Sequence, residues 1–376
     1  MQLMRWCCSL LLTVFLMQVA QAAVLPEDRF DVMAHRYQGG GMKIEGPSVL
    51  VRKSFEDKVA VSANYYVDEV SAASVDVVTS ASPYVEKRTE KSVGVDYLRG
   101  KSIYSLNYGT SKENDYEASS AHLNLSQDFF GDLTTLTLGY SVGKDEVFRT
   151  GDRAFADEVD RQHFRIGVSQ VLTRNLVASL SHELITDEGF LNNPYRSVRY
   201  LNGGGGYSFQ PEQYPRTRTS EATTLGVSYY LPWRAGLHGE YRSFEDSWGI
   251  DANSWQIKLI QPLGQIWTLE TRYRVYRQGE ADFYSDLFPY QDANNFLARD
   301  KELSDFESTV FGLGLGFQFN RAKRETFNRA GIHLWVDRFQ FDYNNFRDLR
   351  VQTTPGSEPL YGFDATVTRL LFTLWY

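Results

Sequence analysis

Six charged residues sit at alternating positions of three successive segments: Glu240 and Arg242, then Lys258, then Glu270, Arg272 and Arg274. In an extended chain, alternate side chains share a face. If the segments are neighbouring strands, all six charges line one wall. Two kinds of chemistry follow. Across an aqueous passage, fixed charges of mixed sign set up a transverse field that orients and selects solutes. Along the wall, the same charges form a salt-bridged ladder that stiffens it. Residue type leaves both open.

Other reactive groups are sparse. The histidines are His35, His122, His163, His182, His238 and His333. No two have the spacing of a metal-binding pair such as HExxH, so no metal and no cofactor is expected. His122, His163 and His238 fall on the polar parity of their segments, where a neighbouring serine could reach them. No GxSxG motif accompanies them. Hydrogen-bonded wall histidines are therefore the preferred reading, and a hydrolase is the minor alternative. Gly312, Gly314 and Gly316 have no following helix and make no nucleotide loop; they thin one face of a strand. Gly203–Gly206 reads as a bend rather than a phosphate cradle.

The elements that carry these residues follow from periodicity. From 265 to 279, Trp267, Leu269, Thr271, Tyr273 and Val275 alternate with Thr268, Glu270, Arg272, Arg274 and Tyr276. That is the period of a strand with one apolar and one polar face. Similar runs are predicted at 30–38, 42–54, 58–70, 90–99, 101–112, 118–128, 132–147, 158–172, 175–187, 219–231, 234–246, 250–262, 306–319, 329–345 and 361–376. Together they make about sixteen strands. The run at 30–38 is the weakest, and without it the strand number is odd.

Both ends of the chain agree with a membrane barrel. Leu370, Phe372, Leu374 and Tyr376 form one apolar face of a strand that ends the sequence on an aromatic residue. This resembles the C-terminal signal that the barrel-assembly machinery reads in bacterial outer-membrane proteins. At the other end, Leu10–Met17 is an apolar run followed by Ala20-Gln21-Ala22, the pattern of a signal peptide cut before Ala23. Both cysteines, Cys7 and Cys8, fall in that leader, so thiol chemistry is not expected in the remaining chain. Residues 23–376 then form a single barrel domain. The net charge of −8 argues against nucleic acid as a partner.

Connections are expected to alternate in length. Tight ones fall at Glu56-Asp57, Arg99-Gly100, Gly131-Asp132, Thr173-Arg174, Pro232-Trp233 and Pro262–Gly264. Long ones fall at 71–89, 148–157, 188–218, 280–305 and 346–360. Short periplasmic turns and long outer loops are the pattern of an outer-membrane barrel with both termini periplasmic. Tyr104, Tyr108, Tyr140, Tyr229, Trp233, Trp255, Trp267, Trp335 and Trp375 are expected to form its aromatic girdles.

The stretches Asp28-Arg29-Phe30-Asp31, Tyr65–Ser74 and Gly109–Tyr116 carry a further likeness. On them the chain resembles a proteobacterial family of outer-membrane proteins catalogued as a domain of unknown function. That resemblance implies an all-β transmembrane antiparallel barrel and brings no substrate.

The expected function is a porin-like channel for small solutes or an exported substrate, with the six charges lining the pore. The alternative is a non-conducting barrel that anchors or matures periplasmic or surface partners. Lipid, lipopolysaccharide and the assembly machinery are the partners expected in either case. Loop 189–218 carries Arg196, Arg199, Arg216 and Arg218 against Glu212, whereas segment 280–307 carries Glu280, Asp282, Asp286, Asp292, Asp300, Glu302, Asp305 and Glu307 against Arg299 and Lys301. This asymmetry predicts an electrostatic lid in which the basic loop folds inward and the acidic one packs on it.

Overall fold

Alternating side chains and a chain too polar to fill a large core favour a strand wall closed on itself, and that is the architecture. The computed structural model describes residues 23–72, 84–320 and 328–376. The leader at 1–22 lies outside the described residues. The strands are β1 Arg29–Gly39, β2 Met42–Phe55, β3 Val59–Ala72, β4 Tyr84–Arg99, β5 Ser102–Lys112, β6 Tyr116–Phe129, β7 Thr134–Arg149, β8 Asp152–Thr173, β9 Leu176–Gly189, β10 Ser197–Leu201, β11 Tyr207–Pro211, β12 Thr217–Tyr230, β13 Gly236–Asp246, β14 Asp251–Leu263, β15 Trp267–Gln278, β16 Phe306–Asn320, β17 Arg329–Arg347 and β18 Leu360–Trp375. Sixteen of them close an antiparallel barrel in which β1 pairs with both β2 and β18; β10 and β11 form a separate hairpin. Closure removes the unpaired edges that an open sheet would present.

The weak first segment is thus a full barrel strand. Arg29 pairs with Trp375 and Gly39 with Ala365, so both ends of the described chain lie at one end of the barrel. The turns after β2, β4, β6, β8, β12 and β14 lie at that same end. At the opposite end the expected length pattern needs correction. The connection predicted as a loop at 148–157 is strand: β7 runs to Arg149, β8 starts at Asp152, and only Thr150-Gly151 separates them. The polar composition there reflects strands that project into water. Between β1 and β2, Gly40 and Gly41 both have positive φ, 58° and 80°, the conformation that a two-residue hairpin turn requires.

The outer wall carries an exposed apolar band. Tyr104, Leu106, Tyr108, Leu225, Val227, Trp255, Ile257 and Tyr273 all point outward. On β4–β7 the band ends between two register rows. Val93, Tyr108, Ala121 and Val142 form the last apolar row, and Lys91, Thr110, Ser119 and Lys144 the first polar one. On β17 the alternation inverts instead. Ile332, Leu334 and Val336 face out; beyond Asp337 the outward residues are Arg338, Gln340 and Asp342, while Phe339, Phe341 and Tyr343 face in.

The inversion has a cause. At that end the barrel is filled by its own loops, 190–216, 279–305 and 348–359. Trp248, Ile250, Phe283, Tyr284, Leu303, Tyr343, Phe346 and Tyr361 make a buried core there, with Phe306, Phe341 and Phe363 packed against it. Burying one such side chain contributes roughly 1.5–3 kcal/mol, so the cap is held as a soluble domain would be. Trp335 and Trp375, expected in the aromatic girdles, face inward. Trp335 stacks on His333, and Trp375 lies 4.1 Å from the Arg329 guanidinium. Aromatic type does not specify a face; strand parity does.

Candidate functional site

The six charges singled out in the sequence share one face of neighbouring strands. β13, β14 and β15 are consecutive neighbours, and their outward residues are Tyr241, Trp255 and Tyr273, so Glu240, Arg242, Lys258, Glu270, Arg272 and Arg274 point inward. Four are committed to ion pairs. Lys258 and Glu270 lie 2.9 Å apart. Arg242 reaches Glu183 on β9 at 3.1 Å. Arg272 reaches Asp337 on β17 at 2.8 Å, and Arg369 on β18 binds the other oxygen of the same carboxylate at 2.8 Å.

The Arg272–Asp337 pair crosses over a whole strand. Between β15 and β17 lies β16, whose inward face carries Gly312, Gly314 and Gly316. A Cβ on Gly312 would stand 2.1 Å from Asp337 Oδ1, and one on Gly314 would stand 2.6 Å from the Trp335 ring. The glycine stripe is therefore no opening. It is a bed across which β17 side chains meet those of β15, including Trp335 Nε1, which donates to Glu270 Oε2 at 3.4 Å.

Charge is unequally balanced around the lumen. In a ring of sixteen, β12–β17 stand half a circumference from β2–β7. The first arc points Arg218, Arg242, Lys258, Arg272 and Arg274 inward against Glu240, Asp246, Glu270 and Asp337, whereas β3–β7 point Asp68, Glu90, Asp96, Asp128 and Asp145 inward. Arg88 moderates the acidic side, and on neighbouring β1 His35 hydrogen-bonds one of its carboxylates. His35 Nε2 meets Asp68 Oδ1 at 2.6 Å and its ring stacks on Tyr66.

His122 lies between two hydroxyls, Ser141 Oγ at 2.7 Å and Ser120 Oγ at 3.1 Å. His238 meets Ser228 at 2.8 Å, and His163 lies 3.9 Å from Glu183. Among the described residues, the ring nitrogens of His122 meet no carboxylate, the group that orients the base in a hydrolytic triad.

The cap closes with the charges that the sequence separates. Arg199, on β10, is fully buried. Its guanidinium binds Glu358 of the third loop through two contacts, 2.5 and 3.1 Å, and also binds the Asp286 carboxylate of the second. Arg299 joins the same Asp286 at 3.0 Å. Arg196 pairs with Asp300. The other two basic residues do not reach the acidic segment: Arg216 binds Asp157 on β8 at 2.7 Å, and Arg218 binds Asp246 at 2.7 Å. Main-chain bonds support the join, with Leu201 N–H donating to Phe288 C=O at 2.9 Å and Leu297 N–H to Gln213 C=O at 2.7 Å. Gly203–Gly206 form the hairpin turn, where Asn202 Oδ1 accepts from the Gly204 and Gly206 N–H groups. Tyr195 extends the cap to the far wall, reaching Asp115 and the Thr150 N–H.

Two acids in the cap are displaced from their ordinary range. Burial, aided by the nearby Asp300 charge, pushes Glu212 up to about 7, against hydrogen bonds from Arg299 N–H and Tyr214 O–H. Burial would also raise Glu358, but the Arg199 guanidinium outweighs it and holds that carboxyl low. Neither the apolar core of the cap nor the burial of Glu212 was expected from the sequence.

Several solved barrels have similar shapes. One described as "Bacterial polysaccharide outer membrane secretin" is 8% identical, with a TM-score of 0.49, covering 94% of this chain and 100% of that one. CdiB from Acinetobacter baumannii is 10% identical, with a TM-score of 0.48 and coverage of 92% and 60%. The siderophore receptor PirA from Pseudomonas aeruginosa is 12% identical, with a TM-score of 0.44 and coverage of 94% and 64%. The chain thus spans less than two thirds of the latter two. A search of the curated proteins finds no match. The sequence model of a family described as "Protein of unknown function (DUF3570)" matches residues 74–166 and 156–331.

Proposed function

We propose that this chain, which belongs to the DUF3570 family of proteins of unknown function, is an outer-membrane channel for small solutes whose own loops hold its mouth nearly shut. The observation that carries this reading is the unequal balance of charge around the lumen. A salt-bridged wall needs acids and bases side by side. It does not need one arc rich in carboxylates, Asp68, Glu90, Asp96, Asp128 and Asp145, facing another on which bases slightly outnumber acids and Arg274 is left over. Opposed arcs give a transverse field inside a low-dielectric wall, and sixteen strands leave room for water between them.

In this reading the apolar band meets lipid, and the row Lys91, Thr110, Ser119 and Lys144 meets lipid headgroups and lipopolysaccharide. Both termini and the short turns face the periplasm. The cap faces outward, and the assembly machinery reads the terminal strand. No reaction is assigned to the His122 cluster.

A second reading, a non-conducting barrel that anchors or matures partners, draws on the buried core of the cap. One experiment separates the two. Purified protein in a planar bilayer should show small, infrequent openings, and deletion of residues 196–216 should raise both conductance and open probability. A folded barrel that conducts in neither form would favour the anchor.

A further inference from the structure

Beneath the cap, wall and loops enclose a cavity of about 410 Å³. Four arginines line it: Arg161, Arg218, Arg242 and Arg274. Three are neutralised. Arg161 binds Asp145 at 2.6 Å and Asp187 at 3.1 Å, Arg218 binds Asp246, and Arg242 binds Glu183. Arg274 has no carboxylate within ion-pair distance among the described residues. Its cross-strand neighbours are Gln256 and Val310, and its guanidinium lies 5.7 Å from the Tyr276 ring.

The carboxylates that line the cavity are mostly taken as well. Asp187 is held by Arg161 and Asp300 by Arg196. The rest of the lining is aromatic or apolar, with Tyr214, Phe244, Trp248 and Leu303. The cavity therefore offers one uncompensated guanidinium beside an apolar surface. A guanidinium presents a planar fork that fits a carboxylate through two hydrogen bonds. The acids at the cavity edge disfavour a second negative charge on a guest.

We propose that this cavity binds a small organic monoanion, a carboxylate on an apolar or aromatic body, with Arg274 gripping the carboxylate and Tyr214, Phe244 and Trp248 covering the body. The site deepens the channel reading by naming its solute class, and it rests on that reading for the route by which the solute arrives.

The test is calorimetric titration of the full-length protein in detergent with sodium benzoate, and with benzyl alcohol as the uncharged control. Benzoate should bind the wild type, and benzyl alcohol should bind at least about tenfold more weakly. Arg274→Ala should lower benzoate affinity by about tenfold or more; Arg274→Lys should lose less, because it keeps the charge without the fork. Arg338→Ala, on the outer wall, should change nothing. Arg274→Gln repeats the test if the alanine variant fails to fold. Absent binding to wild type, equal binding of the two probes, or undiminished benzoate binding in the folded Arg274 variants would overturn the site. Conductance of the same samples keeps the two readings apart. A conducting barrel indifferent to benzoate refutes the site alone, and a benzoate-binding barrel that never conducts refutes the channel alone.

Discussion

Arg199 and Glu358, 159 positions apart in sequence, face each other in the cap through two hydrogen bonds, of which the shorter is 2.5 Å. The pair joins the first and third loops, and Asp286 ties in the second. Exposed ion pairs contribute little individually, but this one is fully buried. Removing one partner of such a pair costs about 3–5 kcal/mol, largely because the other charge is left without compensation. Arg199→Ala should therefore release the cap while the barrel still folds. Single-channel conductance should rise and heat-modified migration on a gel should stay normal. Unchanged conductance would show that the cap does not restrict the passage. Salt should have little effect on wild-type closure, since burial limits screening.

Acidity should tighten the cap. In the closed cap Glu212 is pushed up to about 7 from its ordinary value of 4.5. The closed state then binds more protons than the open one, so its stability falls as pH rises through that window. Asp300, Arg196, Tyr214 and the Arg299 N–H are the groups that face Glu212. Open probability should climb several-fold between pH 5 and about 7.5 in the wild type. Glu212→Gln should flatten the profile; a slope that survives in this variant would assign the pH dependence elsewhere.

The two neighbouring arginines of β15 should not be equivalent. Arg272 shares Asp337 with Arg369, so its loss leaves that carboxylate still bound. Arg274 is not matched by a carboxylate. Arg274→Ser should shift ion selectivity towards cations more than Arg272→Ser does, and the shift should shrink at high salt. Reversal potentials in a salt gradient measure this, and equal shifts would contradict the assignment of the two charges.

Labelling of intact cells tests the orientation. A tag at Asn294, in the second cap loop, should react with an impermeant reagent, whereas a tag at Asp57, in the turn after β2, should not. Reaction at Asp57 would invert the topology. Ser82, in the long connection expected at 71–89, lies outside the described residues.

Tyr376 should matter for assembly more than for stability. Its hydroxyl donates to the Arg52 carbonyl at 2.8 Å, and Lys53 lies over its ring. A hydrogen bond of this kind contributes about 1 kcal/mol, so Tyr376→Phe should lose little. Tyr376→Ala, or deletion of Trp375-Tyr376, should lower the amount of folded barrel in the membrane fraction. Normal amounts after the deletion would count against a terminal signal.

The strands were readable because their period is simple and the wall repeats it. Even the weak run around Phe30 is a strand, and an even-numbered ring closes only with it. The charges of the cap were also readable, because Arg199 and Asp286 lie in long segments of opposite sign. Its apolar core was not. Trp248, Ile250, Phe283 and Phe346 are scattered over turns, loops and one strand end, with no shared period. Nor could the sequence pair Arg272 with Asp337. That contact depends on register across β15, β16 and β17, and on glycines whose role is to be absent.

The inversion of β17 beyond Asp337 has an electrical consequence. A voltage applied across an intact bilayer falls over its low-dielectric layer, and the outward apolar face of β17 ends at Val336. Arg199, Asp286 and Glu358 stand in the cap, at the end of the barrel where the outer face of β17 is polar. In the channel reading, however, water fills the lumen below the cap, so the voltage falls mainly over the cap that resists current, and movement of these charges there carries gating charge. Closure of this mouth should then respond to a voltage step as well as to protons and solutes.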